Sequence, residues 1–222
     1  MLIIGFMIHG NINDAIMLKQ QEYNTALQIE NDSDLFEYGM RTNVGNAFVY
    51  GDLKAIDTVT YPEIGGEYSY VEKIKERYTR HTKTVNVYDD EGNVVGTREE
   101  EYWTWDRIDS WSKHSEKISF LDVEFDYGMI KFPYSSYIDT QHESSKIRYK
   151  YYGSPTECTG TIYTVLGNDT INETKFYNNY TIEEAIEFLE SGGELFLFWF
   201  LWVMLTCSCV YGFYYLDNWW LE

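Results

Sequence analysis

The spacing of apolar positions changes along this chain, and each change marks an element. Towards the C-terminal end alternation stops. Leu195–Leu216, LFLFWFLWVMLTCSCVYGFYYL, is 22 residues without charge or proline, bounded by Glu194 and Asp217. A helix of that length runs roughly 33 Å, against about 30 Å for a bilayer's hydrocarbon core. Helices buried in globular cores rarely hold an unbroken apolar run past about 14 residues, so a transmembrane helix is predicted. Its candidate spanning positions are Leu195, Phe198, Trp199, Trp202, Leu205, Phe213 and Leu216, and Trp219 and Trp220 follow at headgroup level. At the other end Met1–Ile8, MLIIGFMI, is apolar but too short to span. No basic stretch precedes it and no A-x-A site follows, which argues against a cleaved signal peptide. It reads as the tail of a membrane helix that starts upstream, or as a shallow interfacial anchor.

Between these ends the period is first helical, then close to two. Asn11–Glu30 is predicted as a helix, capped by Asn13 or Asp14, with a stripe of Ala15, Leu18, Ala26 and Ile29. The acidic, turn-rich Asn31–Tyr38 ends it. From Asn43 strands take over. Ala47–Leu53 is the first, and a loop with Tyr61-Pro62 and Gly65-Gly66 follows. Tyr68–Trp111 then reads as a long β-hairpin turning at Glu91-Gly92-Asn93. Its outgoing arm carries Lys73, Lys75, Arg77, Arg80 and Lys83, and its return arm Glu99, Glu100, Glu101 and Asp106. Opposed across an antiparallel pair, such charges contribute roughly 0.2–1 kcal/mol per well-placed pair. Tyr102, Trp103 and Trp105 break strict alternation, so both faces of that arm are expected to make contacts; with Trp111 they are the candidate interaction residues.

Ser119–Tyr127, Gly128–Phe132, Lys146–Tyr152, Gly160–Leu166 and Thr174–Tyr177 are further strands, and Phe132–Tyr137 is irregular around Pro133. Thr181–Glu190 is a short helix with Thr181 and Glu184 spaced as a capping box and a stripe of Ile182, Ile186 and Leu189. Ser191-Gly192-Gly193 is a hinge into the membrane stretch. The fold class expected is α+β: a β-rich extramembrane domain with a long antiparallel hairpin, flanked by an N-terminal helix and a C-terminal transmembrane helix. The organisation expected is an apolar segment over 1–10, a helix and connector over 11–40, the β-rich domain over 41–192, and the membrane helix with its aromatic tail over 193–222.

Charge narrows the choice of partners. Acidic side chains number 36 against 17 basic ones, a formal charge of −19, and every Lys and Arg lies between Lys19 and Lys175. That balance argues against nucleic acid, whose binding needs Lys and Arg at phosphates, and against docking on anionic headgroups. With no basic residue near either end of the membrane stretch, the positive-inside rule is silent on orientation. The 21 tyrosines suit sheets and contact surfaces.

Candidate chemistry is sparse. Cys158 is the one cysteine outside the membrane stretch, so no disulfide forms within that domain; Cys207 and Cys209, two apart on a helix, point about 200° apart. Cys158 has an acidic neighbour that raises a thiol pKa, which disfavours nucleophilic work. His9, His81, His114 and His142 are scattered without metal-ligand spacing, and neither a phosphate-cradling glycine loop nor G-x-S-x-G occurs. No catalytic, cofactor or metal residues are assigned, and no enzyme is indicated. Four sequons occur, at Asn31, Asn168, Asn172 and Asn179; the last three are candidate glycan acceptors if the domain is lumenal.

The order of these features resembles the transmembrane protein 43 (LUMA) family. The stretches that carry the resemblance are Gly45–Leu53, Tyr61-Pro62 to Gly65, Val71–Tyr78, Glu99–Trp105 with Asp109–Trp111, Lys146–Gly153 and Thr181–Glu190. The resemblance covers roughly residues 1–205 and rests on collinear order, not on one motif. Two features depart from the family. This chain carries a single C-terminal membrane helix where several are usual, and only Met1–Ile8 stands for the first one. The resemblance implies a scaffold with its large domain on the lumenal or extracytoplasmic side, in an endoplasmic reticulum or other organelle membrane, or in a bacterial cell membrane.

The expectation is therefore a non-enzymatic, membrane-anchored scaffold or assembly protein, with lipid and other membrane proteins or its own copies as partners and no nucleic acid. The alternatives are an accessory subunit of a large membrane or virion complex, and an extracytoplasmic sensor with an aromatic pocket at Tyr102–Trp105.

Overall fold

The computed structural model describes residues 2–133, 135–191 and 193–220. It is mixed α+β, with two sheets between a helical N-terminus and a long apolar C-terminal helix. The chain divides into two compact units. One takes Met1–Tyr50, Thr161–Asn172 and Tyr180–Glu222; the other takes Gly51–Gly160 and Glu173–Asn179.

The first unit opens with α1 (Leu2–Thr25), β1 (Leu27–Glu30) and α2 (Ser33–Thr42). The predicted helix over Asn11–Glu30 is thus both longer and shorter than expected. Gly10 and Asn11 weaken a helix without ending it, and no proline intervenes, so the apolar start and the polar segment join in one rod. Leu27–Glu30 instead pairs in parallel with Ala47–Tyr50 at the start of β2 (Gly45–Ala55). Parallel neighbours need a crossover connection, and α2 supplies it. Asn31–Tyr38, expected as a turn, holds the helix start. Asp32 accepts from the Leu35 N–H at 2.9 Å as N-cap, and Phe36 and Met40, four apart, bury the inner face. Gly39 lets α2 pack closely there, since a Cβ would stand 2.7 Å from Leu166 Cδ1 and that side chain would have to shift. Ile29, Phe48, Val49, Ile162, Leu166 and Ile171 complete this core. The capped helix α3 (Ile182–Glu190) forms as expected, with both halves of the Thr181–Glu184 capping box present. The membrane stretch lies within α4 (Glu194–Trp220), the one described helix long and apolar enough to cross a membrane. Gly192 of the hinge, and the side chains of Leu216, Trp219 and Trp220, lie outside the described residues.

The second unit carries the predicted hairpin as β3 (Tyr70–Tyr88) and β4 (Val94–His114). Its turn is organised by Asp89, whose carboxylate accepts the N–H groups of Glu91 at 3.0 Å and Asn93 at 2.8 Å. Gly92 adopts φ 84°, a left-handed conformation that glycine takes without a steric penalty. Ser119–Tyr127 is not one strand. β5 (Lys117–Phe120) and β6 (Val123–Asp126) turn back on each other at Leu121-Asp122, both with positive φ, as a two-residue hairpin loop demands. The strand expected over Gly128–Phe132 shrinks to β7 (Ile130–Lys131), and β8 (Ser136–Ser144) was not anticipated at all. β9 (Ile147–Ser154), β10 (Glu157–Gly167) and β12 (Thr174–Asn178) match expected strands, and β11 (Thr170–Ile171) is a short return on β10. One sheet runs β6-β5-β2-β10-β12-β7, with β1 on β2 and β11 on β10; the other runs β4-β3-β9-β8. Leu53, Val71, Ile118, Phe120, Ile130 and Tyr151 form the buried centre of the second unit.

Candidate functional site

The four-stranded sheet is stepped. β9 backs β3 only from Tyr70 to Arg77, while β3 and β4 stay paired out to Tyr88 and Val94. Past Arg77 the hairpin is a bare two-stranded ribbon for eleven residues, roughly 35 Å at strand rise. Such a ribbon is marginal on its own, and the sequence stabilises it from both faces.

On one face Tyr78 lies between Trp103 and Trp105, each with ring centroids 5.2 Å away. The Arg148 guanidinium sits 4.2 Å over Trp105 and the Lys146 ammonium 5.8 Å over Trp103. At the ribbon's root Glu76 accepts from Arg148 Nε at 2.6 Å and pairs with Lys150 Nζ at 3.3 Å. Arg107 answers Glu72 at 2.7 Å beside it. The opposite face carries His81, whose Nε2 is 2.6 Å from Asp106 and whose ring stacks on Tyr102. The Thr104 hydroxyl donates to the same carboxylate at 2.7 Å. The Thr104 bond first and then the His81 bond hold Asp106 below the usual carboxylate range. Nearer the body Lys73 bonds Glu63 at 2.5 Å and lies over the rings of Tyr61, Tyr149 and Tyr151. Burial pulls the Lys73 pKa down, and the Glu63 and Tyr151 bonds more than offset it, so the net shift is upward.

The predicted interaction residues therefore divide between faces. Trp103 and Trp105 share one, Tyr102 lies on the other with His81, and Trp111 stands opposite Lys73 on that second face near the base. Tyr102, Trp103 and Trp111 stay 40–45% exposed. Expected cross-strand pairs form at Arg80–Glu101 and Lys83–Glu100, with Arg98 joining Glu100. Sequence reasoning missed the tip, where Val87, Tyr88, Val94 and Val95 are exposed around the Asp89–Asn93 turn. The signal was present, since valines flank a loop where solvated residues are normal. It also missed β9's share, because Arg148 is far from the hairpin in sequence.

The edges of the ribbon are poor docking strands. β4 is the edge of its sheet and has no outer neighbour among the described residues. It carries three successive glutamates and its ladder is broken by register shifts at Lys75/Glu76 and Val87/Tyr88, devices that discourage edge-to-edge pairing. Faces and tip are what remain for contact.

In the first unit the apolar start of α1 packs on α4. Gly5 is buried against Trp202, and a Cβ on it would stand 2.6 Å from the indole nitrogen. Such small residues let helices in lipid approach closely. Trp199 Nε1 donates to His9 Nδ1 at 3.2 Å, and Phe6 meets Trp199 edge-on at 5.6 Å. Ile4, Phe6 and Met7 remain more than half exposed, as do most apolar residues of α4. Of the expected spanning residues, Phe198 stacks on Trp202 and meets Trp199 edge-on, while Leu205 and Phe213 face outward. The polar end of α1 is tied to its own unit through Glu22, which accepts from Asn46 at 2.8 Å and from the Tyr163 hydroxyl at 2.6 Å.

Groups suited to bond-making chemistry do not converge among the described residues, where no cluster of three His, Cys, Asp or Glu is placed to hold a metal. Burial, aided by Glu157, pushes the Cys158 thiol up to about 11. His114 stacks on Tyr127 at 4.6 Å and bonds the Ser115 carbonyl at 2.7 Å, a structural use of an imidazole. A cleft of about 510 Å³ is lined by Glu67, Tyr68, Ser136, Thr156 and Asn178, away from Tyr102–Trp105. Asn168, Asn172 and Asn179 are all exposed. Comparison of the chain with models of protein families, with curated proteins and with solved structures returns no match.

Proposed function

We propose that this chain is an integral membrane protein without catalytic activity that assembles complexes through its projecting β3–β4 ribbon. The observation that carries the reading is the ribbon itself. It outruns its sheet by eleven residues and exposes Trp103, Tyr102 and the Val87–Val95 tip, the rigid aromatic and apolar groups that dominate protein interfaces. Its glutamate-guarded edges leave only faces and tip for a partner. α4, with the first turns of α1 beside it, anchors the chain in lipid. The order of features that resembles the transmembrane protein 43 (LUMA) family supports a scaffold as well, in an organelle membrane or a bacterial cell membrane. The sensor reading loses ground because the Tyr102–Trp105 segment stacks on an open sheet face and lines no enclosed pocket among those described.

The test is excision of residues 79–104, joining Tyr78 to Trp105 through an Asn-Gly turn. In membranes, crosslinking and sizing of the full chain are expected to give species larger than a monomer, and the excised variant to give the monomer. Identical species from both, or a monomer from the intact chain, would overturn the proposal.

A further inference from the structure

We propose that Asn168, Asn172 and Asn179 carry N-linked glycans, which puts the extramembrane part of the chain on the lumenal or extracellular face of its membrane. Each asparagine is exposed, and its backbone is fixed while its side-chain amide makes no hydrogen bond among the described residues. Asn168 sits in the β10–β11 turn, where its N–H donates to Asn43 Oδ1 at 2.6 Å. The Asn172 N–H donates to the Val165 carbonyl at 3.3 Å, and the Asn172 carbonyl accepts from the Thr164 hydroxyl at 3.0 Å. The Asn179 N–H donates to the Thr159 carbonyl at 2.9 Å. Each is followed by a residue other than proline and then by Thr170, Thr174 or Thr181. That is the acceptor pattern for this modification.

A purely conformational account covers part of this. Asn168 and Asn179 have φ 56° and 60°, and asparagine tolerates that left-handed region better than most residues. Thr181 caps α3. The account stops at Asn172, which has no positive φ and no side-chain hydrogen bond among the described residues, and it does not explain a threonine two places after each of the three. With 13 Asn and 31 Ser or Thr in 222 residues, about two sequons arise by chance; four occur, three of them within fourteen residues. The contact arm is free of them, since neither Asn86 nor Asn93 begins a sequon, so glycosylation leaves the ribbon bare. The single extramembrane thiol, Cys158, is buried and so is protected from oxidation in such a compartment.

The transfer is a substitution at a sugar. The asparagine amide nitrogen bonds to the anomeric carbon of an oligosaccharide held as its polyprenyl diphosphate, and the bond from that carbon to the diphosphate oxygen breaks. The polyprenyl diphosphate leaves with the electron pair, and the nitrogen's proton passes to a base of the membrane-bound transferase.

The test uses the full chain expressed in glycosylating eukaryotic cells, with electrophoresis before and after peptide-N-glycosidase. Three mobility steps are expected, collapsing to one band on digestion. Asn168→Asp, Asn172→Asp and Asn179→Asp should each remove one step; aspartate also tolerates positive φ, so the turns survive. Thr170→Val and Thr174→Val remove the same steps without touching an asparagine, which covers a variant that misfolds. A step at Asn168 or Asn172 upholds the proposal. No step at either, or digestion of the domain by protease added outside sealed vesicles from the endoplasmic reticulum, overturns it.

Discussion

Removing Glu76 should loosen the root of the ribbon more than any other single charge in the sheet. Its carboxylate faces Arg148 at 2.6 Å and Lys150 at 3.3 Å, and its side chain is 13% exposed against 19% and 26% for theirs. Breaking a buried ion pair by deleting one partner costs about 3–5 kcal/mol, whereas surface pairs contribute about 0–1. Partial solvation puts Glu76→Ala between these, at about 2–3 kcal/mol. For a chain of this size that lowers Tm by roughly 4–12 °C. Arg148→Met in the same chain removes the stranded cation and keeps an apolar stem over Trp105, so the double variant should recover about half of the loss. Thermal unfolding of the detergent-solubilised full chain measures both shifts. Hydrogen exchange over residues 78–105 then localises the effect, because β9 backs β3 only as far as Arg77. A Tm shift below about 1 °C for Glu76→Ala, or strictly additive losses in the double variant, would refute the reasoning.

Other outcomes follow from single contacts. Gly160→Ala places a Cβ 2.3 Å from the Tyr177 carbonyl oxygen, a backbone atom that moves only with β12; a loss of about 2–4 kcal/mol is expected by chemical denaturation, and a loss under 1 would show the strands part easily. Gly5→Leu puts carbon against the Trp202 indole and should separate the start of α1 from α4, read as weaker crosslinking of Phe6→Cys to Trp199→Cys by a bifunctional thiol reagent long enough to span the ring contact. The lowered pKa of Asp106 means its bonds to Thr104 and His81 stabilise the ribbon above the unfolded value of about 3.9 and are lost as pH falls through the folded one. Amide exchange over the hairpin should therefore speed up below about pH 4 in the parent and show no such acid step in Asp106→Asn.

What the sequence made legible was whatever its local pattern alone determines. The long apolar helix, the capping box and the hairpin with its opposed charges are short-range features, and each formed where its residues predicted. The misses share a cause. Leu27–Glu30 continues a helical stripe by spacing, yet pairing with Ala47–Tyr50 decides its state. β8 reads as polar because it is a sheet edge, exposed at both ends and half-buried only from Ile138 to Gln141, and it has only β9 to define it. The Leu121-Asp122 turn was hidden because leucine rarely takes positive φ, and a single aspartate beside it does not mark a two-residue loop. At the candidate site, hairpin aromatics could be named from sequence, but Arg148 and Glu76, which fix the ribbon's root, meet across 72 positions.

The ribbon also resolves a conflict that any projecting arm faces. On the proposed reading it must stay folded and soluble while unpartnered, yet keep apolar surface for a partner. Charge is placed where pairing would be promiscuous, along β4 and across the ladder, and ring surface is placed where a partner must match shape. The cations over Trp103 and Trp105 serve both needs. Lys146 and Arg148 cover part of each ring in the free chain, and their stems add apolar area when a partner displaces water. On that reasoning Trp103→Ala should weaken assembly far more than Glu99→Ala. Trp103 is 45% exposed, and Glu99, four residues away on the same face of β4, is exposed too, so the comparison sets ring surface against charge on one face. Equal effects of the two, measured as the crosslinked fraction in membranes, would mean that ring surface does not carry the contact.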